Sequence, residues 1–261
     1  VIAAAVAGGV LLVRQKGASA SGDGSGEIEV TGVTTQSGAD VNEVQVETPL
    51  ASATDQIVAS MSLEEKIGQM MMVGLEGPQA DAAITSAIQD KHIGGVILFT
   101  RNISSTEQVA ELDAGLQALA AQAKQPAKLM IAVDQEGGKT RRFESIGPFY
   151  SQPMIGEMHD AAPDAAQQQA SSAARDLKKL GINTNLAPVA DVSSGWGSIM
   201  DGRAFSSDTE FVAELTGRAV MGYNNATTIS CVKHFPGHGS ADDDSETVLP
   251  TVSSDLATIQ S

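Results

Sequence analysis

The residues able to do chemistry concentrate in one stretch. Cys231-Val-Lys233-His234-Phe-Pro-Gly-His238-Gly runs into Ser240-Ala-Asp242-Asp243-Asp244-Ser245-Glu246. An apolar β-like run from Thr228 to Val232 delivers a Lys–His pair. Pro236, Gly237 and Gly239 then force the backbone to turn. Cations at the end of a strand, beside an acidic loop, suit a small polyhydroxylated substrate and acid/base chemistry. His234 and His238 have the spacing of a helical zinc pair, but Pro236 and Gly237 between them deny them a common helix face. The acidic run lacks the Asp/Asn spacing and closing Glu of a calcium-binding EF-hand loop. Taken alone it reads as a solvated loop or a loose cation site. No phosphate-cradling Gly-rich loop with a following Lys-Ser or Lys-Thr is present. No metal or cofactor is therefore expected.

Two further constellations each have two readings. Asp134-Gln-Glu136-Gly137-Gly138 follows an apolar run. It is either a carboxylate that binds hydroxyls or a capped turn with solvated acids, with Arg141-Arg142 close behind. Asp201-Gly-Arg203 is either part of a site or a salt bridge within a turn.

Composition narrows the function classes. With 16 basic and 32 acidic residues the net charge is −16. That excludes nucleic acid, whose phosphates require basic patches, and leaves neutral sugars open. Aromatic content is 3%, while Gly and Ala abound, which suits close helix–strand packing. The single Cys231 excludes an internal disulfide, and its place in an apolar run reads as a small core residue.

The elements that must position these residues alternate. Ser62 and Glu65 form a capping-box pattern opening a helix. Apolar runs at Met71–Val73, Gly94–Phe99, Leu129–Val133, Thr184–Ala190 and Thr228–Val232 read as strands. Helices are expected over residues 81–91, from Ser105 or Thr106 through Leu119, over 163–180 and over 209–223. Strands that are apolar throughout and alternate with helices imply a parallel sheet covered by helices. Each strand ends in polar residues: Arg101/Asn102, Asp134/Glu136, Asp191, Lys233/His234. A (β/α)8 barrel gathers all such ends on one face, whereas a doubly wound sheet uses only its switch point. The barrel is the expected fold. The strand-like runs fall short of eight, and residues 51–261 fall short of the ~250 usual for this fold. A partial barrel, incomplete at the C-terminus, is therefore expected, with an open sheet edge.

Ahead of that region, Val1 to Val13 is continuously apolar but shorter than the ~20 residues of a full span. Residues 1–16 read as the remnant of a signal peptide or signal anchor. Residues 17–50 are rich in Gly, Ser, Thr and acids and read as a flexible stalk. An extracytoplasmic location, secreted or anchored, follows from this reading.

Four segments in order resemble the family 3 glycoside hydrolases, in their β-N-acetylhexosaminidase branch. They are Ile93-Gly-Gly-Val-Ile-Leu-Phe-Thr-Arg-Asn102, Val133-Asp-Gln-Glu-Gly-Gly-Lys-Thr-Arg-Arg-Phe143, Asn185-Leu-Ala-Pro-Val-Ala-Asp191 with Asp201-Gly-Arg-Ala-Phe205, and Lys233 to Ser245. The resemblance implies the same (β/α)8 fold and a retaining hydrolase of terminal β-linked N-acetylglucosamine, as in peptidoglycan fragments. It implies that Asp134, Arg142, Arg203, Lys233 and His234 bind the sugar.

Two departures from the family pattern matter. The family's acid/base loop reads Asp-Ser-His; here it reads Asp244-Ser245-Glu246. The resemblance puts Glu246 in the acid/base role, with Asp244 supplying a neighbouring anion that raises its pKa. The family's nucleophile is an Asp on a later strand, past Asp255. Retaining hydrolysis needs two carboxylates about 5–5.5 Å apart, so residues 1–261 are expected to bind without turnover. A β-glucosidase or β-xylosidase of the same family, and a non-catalytic carbohydrate-binding surface protein, are the alternatives.

Overall fold

The computed structural model describes residues 3–6, 9–12, 49–193, 200–241, 243, 245 and 247–251. The chain divides into two units, Val1–Thr48 and Pro49–Ser261. In the first, Ala3–Val6 pairs antiparallel with Gly9–Leu12. The sequence had suggested a leader or anchor here; the described part is a short two-stranded ladder. Among the described residues no helix is long and apolar enough to cross a membrane. Residues 17–48 of the expected stalk lie outside the described residues, and Pro49 opens a helix.

The second unit alternates helix and strand. In order it runs α1 (Pro49–Ser60), α2 (Leu63–Gln69), β1 (Met72–Gly74), α3 (Ala82–Gln89), β2 (Gly95–Leu98), α4 (Thr106–Gln122), β3 (Met130–Val133), α5 (Gln152–Gly156), α6 (Ala162–Lys179), β4 (Thr184–Asn185), α7 (Thr209–Asn225) and β5 (Ile229–Ser230). Helix starts follow the capping residues. Ser62 Oγ accepts from the Glu65 N–H at 3.1 Å, while Glu65 Oε2 accepts from the Ser62 N–H at 2.7 Å. The Asp81, Ser105 and Asp208 side chains cap α3, α4 and α7 by accepting from the N–H groups of Ile84, Gln108 and Phe211.

The five strands are all parallel and stand in the order β1-β2-β3-β4-β5. Each strand neighbours its predecessor in sequence, with no reversal. A doubly wound sheet reverses at its switch point, so this order is the arc of a barrel. Val96, Leu98, Ile131 and Val133 are fully buried under Ile88, Val109, Leu116 and Leu177 from the helices. A second core lies between α6 and α7, where Ala166, Ala170 and Ala174 meet Val212, Leu215 and Ala219. Small side chains let these two helices approach closely. A Cβ on Gly222 would lie 2.3 Å from the Gln167 carbonyl oxygen.

Two expectations need correction. The run Thr184–Ala190 pairs as a strand only at Thr184–Asn185. Pro188 has no N–H to give the ladder, and pairing resumes as a single bridge between Val189 and Lys233. Cys231 is exposed rather than buried. It follows β5, the last strand in the sheet order, where Ile229 (49%) and Val232 (47%) are also exposed. An apolar run at a sheet edge does not acquire the cover that the same run has at the centre.

Candidate active site at the strand tips

Because the strands are parallel, their C-terminal ends share one face. After β3, the chain passes Asp134 and makes a short antiparallel excursion, Gln135–Gly137 against Thr140–Arg141. The buried Gln135 holds this loop. Its Oε1 accepts from the N–H groups of Arg142 (2.8 Å) and Phe143 (3.1 Å), and its Nε2 donates to the carbonyls of Phe143 and Gly147. Asn185 on β4 clamps the Gln135 backbone through its side-chain amide, at 3.0 and 2.9 Å. Arg142 is thereby returned beside Asp134. Beyond Pro188, Gln152 pairs its side-chain amide with both backbone groups of Val189. Lys233 aligns with Val189 through the Val189–Lys233 bridge and the Ala190 N–H, which donates to the Lys233 carbonyl at 2.7 Å.

The side chains meet in one network. Lys233 Nζ lies 2.7 Å from Asp134 Oδ1 and 2.6 Å from Glu136 Oε1. Arg142 reaches the other Asp134 oxygen at 3.2 Å. Arg203 donates twice to Glu136, at 2.7 and 3.0 Å. Its Nη2 also lies 3.2 Å from His234 Nε2. His234 Nδ1 is 2.6 Å from Asp191 Oδ2, and the His238 backbone N–H donates to Asp191 Oδ1. This arrangement places the ring proton on Nδ1 and leaves Nε2 to accept from Arg203. Asp134 and Glu136 each hold two of the cations Arg142, Arg203 and Lys233, while Asp191 holds His234.

Burial divides this network in two. The side chains of Glu136 and Asp191 are 2% and 0% exposed. Asp134, Arg142, Arg203, Lys233 and His234 keep accessible edges of 13–31%. Those five are the residues expected from the sequence to bind sugar, and all five converge. Glu136 and Asp191, strand-end acids in the sequence, form the layer beneath and aim the cations and the imidazole. Burial pushes the Asp134 carboxyl up, but Lys233 and Arg142 outweigh it and hold its pKa below the usual carboxylate range. Burial likewise opposes, and hydrogen bonds from His234 and the His238 N–H overcome, so Asp191 is also held low. The hydrogen bonds to Glu136 raise the Arg203 pKa against the effect of burial. Asp134 and Asp191 are thus held as carboxylates and Arg203 as a guanidinium.

Other expected members stand apart. Arg101 and Asn102 do not join the network. Asn102 closes its own turn, accepting from the Phe99 N–H at 2.8 Å and donating to the carbonyls of Leu75 and Gly77. Asp244 and Glu246 lie outside the described residues. Between them in sequence, Ser245 Oγ is 3.1 Å from His238 Nε2. Gln135 and Asn185 stand in segments that resemble the family, but their role, like that of Gln152, is recognisable only once the loops a buried amide joins are in place.

The comparisons with known proteins agree with this geometry. Residues 62–261 match the family model "Glycosyl hydrolase family 3 N terminal domain". The chain is 38% identical over 176 residues to beta-hexosaminidase A of Pseudoalteromonas piscicida, covering 66% of this chain and 29% of that protein. It is 35% identical over 197 residues to the beta-hexosaminidase of Xylella fastidiosa strain M12, covering 74% and 57%. The structure of a glycoside hydrolase family 3 beta-N-acetylglucosaminidase from Paenibacillus superposes with a TM-score of 0.73 at 35% identity, over 77% of this chain and 38% of that one. The chain thus spans between about a third and just over half of these relatives. The strand order, the converging tips and the family match give one conclusion: the chain belongs to glycosyl hydrolase family 3, and residues 62–261 carry that family's N-terminal barrel domain.

Proposed function

We propose that the complete protein is a retaining β-N-acetylhexosaminidase that removes terminal β-linked N-acetylglucosamine, with peptidoglycan fragments as the substrate class. The observation that carries this is the two-layer network. Asp134, with Lys233 on one oxygen and Arg142 on the other, presents an ionised acceptor to ring hydroxyls. Arg203 and His234 offer a second, adjacent edge to hydroxyls or the acetamide. A sugar held by a charged acceptor and several fixed donors is oriented before reaction, which lowers the entropic part of the barrier. The relatives named beta-hexosaminidase support the sugar assignment.

In this proposal Glu246 protonates the leaving oxygen and Asp244 raises its pKa. The attacking carboxylate lies C-terminal to Ser261, so the barrel portion in residues 1–261 binds sugar but does not turn it over. Residues 1–16 act as an N-terminal leader or anchor and residues 17–50 as a stalk, giving an extracytoplasmic enzyme. Assay of the full-length protein and of residues 1–261 on an aryl β-N-acetylglucosaminide tests the reading. Turnover is expected from the full-length protein alone, and Glu246→Gln should lower it by orders of magnitude. Hydrolysis by purified residues 1–261 would overturn the placement of the nucleophile.

A further inference from the structure

A groove of about 730 Å³ lies between the 147–150 loop and the outer face of α6, and none of the strand-tip network residues lines it. Its rim is formed by Phe149 and Tyr150, which are 59% and 50% exposed. Two adjacent aromatic rings held in water forgo the burial that would otherwise stabilise them. The loop is fixed in this position by several contacts. The Tyr150 N–H donates to Gln169 Oε1, and its carbonyl accepts from Gln169 Nε2, both at 2.9 Å. Gly137 admits the loop, since a Cβ there would lie 2.3 Å from the Tyr150 oxygen. The Arg141 guanidinium sits 5.9 Å from the Phe149 ring centre. The rings are therefore a built platform, seated on the same turn that carries Glu136.

The facing wall is polar. Asp164, Gln168, Ser172 and Arg175 recur at spacings of three and four on the solvent side of α6 and line the groove. Arg175 is held along this wall by a 2.9 Å bond to Ser171 Oγ. A pyranose matches this pairing of surfaces. Its C–H face stacks on an aromatic ring, and its hydroxyls and acetamide exchange hydrogen bonds with amides, hydroxyls and charged tips. Asp164 and Arg175 cancel in charge, which favours a neutral ligand over an anion. A peptide that binds by adding a strand would call for a strand edge, which the helix α6 does not offer.

We infer that this groove is a second, non-catalytic binding site for a neutral oligosaccharide of N-acetylhexosamine. The choice of an N-acetylated sugar rests on the function proposed above; the platform and its polar wall do not. The test is a titration of the protein with the β-1,4-linked tetramer of N-acetylglucosamine, followed by calorimetry and by backbone amide NMR. Saturable shifts are expected at Phe149, Tyr150 and along α6. In Phe149→Ala/Tyr150→Ala, groove affinity should fall at least tenfold while shifts at Lys233 and His234 persist. The variant Gln168→Ala/Arg175→Ala alters only the exposed helix face, and should weaken the groove alike with an unchanged melting temperature. Asp134→Asn should silence the strand-tip shifts and leave those of the groove. The inference is overturned if the groove resonances stay still at millimolar tetramer. It is also overturned if they respond equally to cellotetraose, or to a tetrapeptide instead. Groove shifts without strand-tip shifts would support the inference and count against the proposed function.

Discussion

Arg203 and Glu136, 67 positions apart, form a two-pronged ion pair at 2.7 and 3.0 Å in which the carboxylate is 2% exposed. The same carboxylate holds Lys233 at 2.6 Å. Glu136 is thus the anion that joins the β3, β4–α7 and β5 connections. Glu136→Gln removes its charge and turns an amide N–H toward donors. Breaking a buried pair by deleting one partner costs roughly 3–5 kcal/mol. Urea unfolding should show a loss near the lower end of that range, because Arg203 retains a solvent-facing edge. A variant as stable as the parent would show that the pair contributes nothing net.

Asp134 is predicted to be the principal acceptor for the sugar. Hydrogen bonds to charged groups contribute about 1.5–3 kcal/mol each, so Asp134→Asn should weaken N-acetylglucosamine binding by at least about tenfold. Calorimetric titration reads this directly. The fold should survive, since the amide retains an acceptor for Lys233 or Arg142.

Asp113 gives the opposite kind of carboxylate. It lies on α4 at 1% exposure, neither oxygen has a hydrogen-bond partner among the described residues, and burial pushes its pKa up to about 8. Between the ordinary carboxylate value of ~3.9 and about 8, the unfolded chain has lost this proton and the folded chain keeps it. Stability therefore falls as pH rises through that interval. Asp134 and Asp191, whose pKa values are lowered, act in reverse: their contribution is complete above the ordinary carboxylate range and disappears as pH falls below it. Asp113→Asn should flatten the decline between pH 5 and 8 and leave the acid limb unchanged. Denaturation midpoints across that range measure it.

Cys231 should react with a thiol reagent in folded residues 1–261, without denaturant. Its exposure at the β5 edge is the reason. A thiol that reacts only on unfolding would restore the core reading of this residue.

Gly239 is predicted to be intolerant of any side chain. A Cβ there would lie 1.9 Å from the Val192 carbonyl oxygen. Gly239→Ala should push the 237–241 turn away from the backbone after Asp191. Sugar binding should then weaken along with stability, read as a loss of NMR shifts at His234.

Much of the barrel was legible along the chain, because helix caps and apolar periodicity are local. Ser62 and Ser105 announce their helices through bonds made within one turn. The parallel arrangement follows from strands that are apolar on both faces, and polar residues at the strand ends pointed to one functional face. Asp134, Arg142, Arg203, Lys233 and His234 were legible through motifs whose residues sit at the ends of those strands. What only the tertiary structure decided is which groups lie beneath and which lie on top. Glu136 and Asp191 look like any strand-end acid until Arg203 and His234 arrive from distant loops to cover them. The exposure of Cys231 likewise depends on its place at the edge of the described sheet, and the groove beside α6 depends on Gln169 catching a loop 19 residues away. Burial and long-range pairing are properties of the assembled chain, so local pattern carries no record of them.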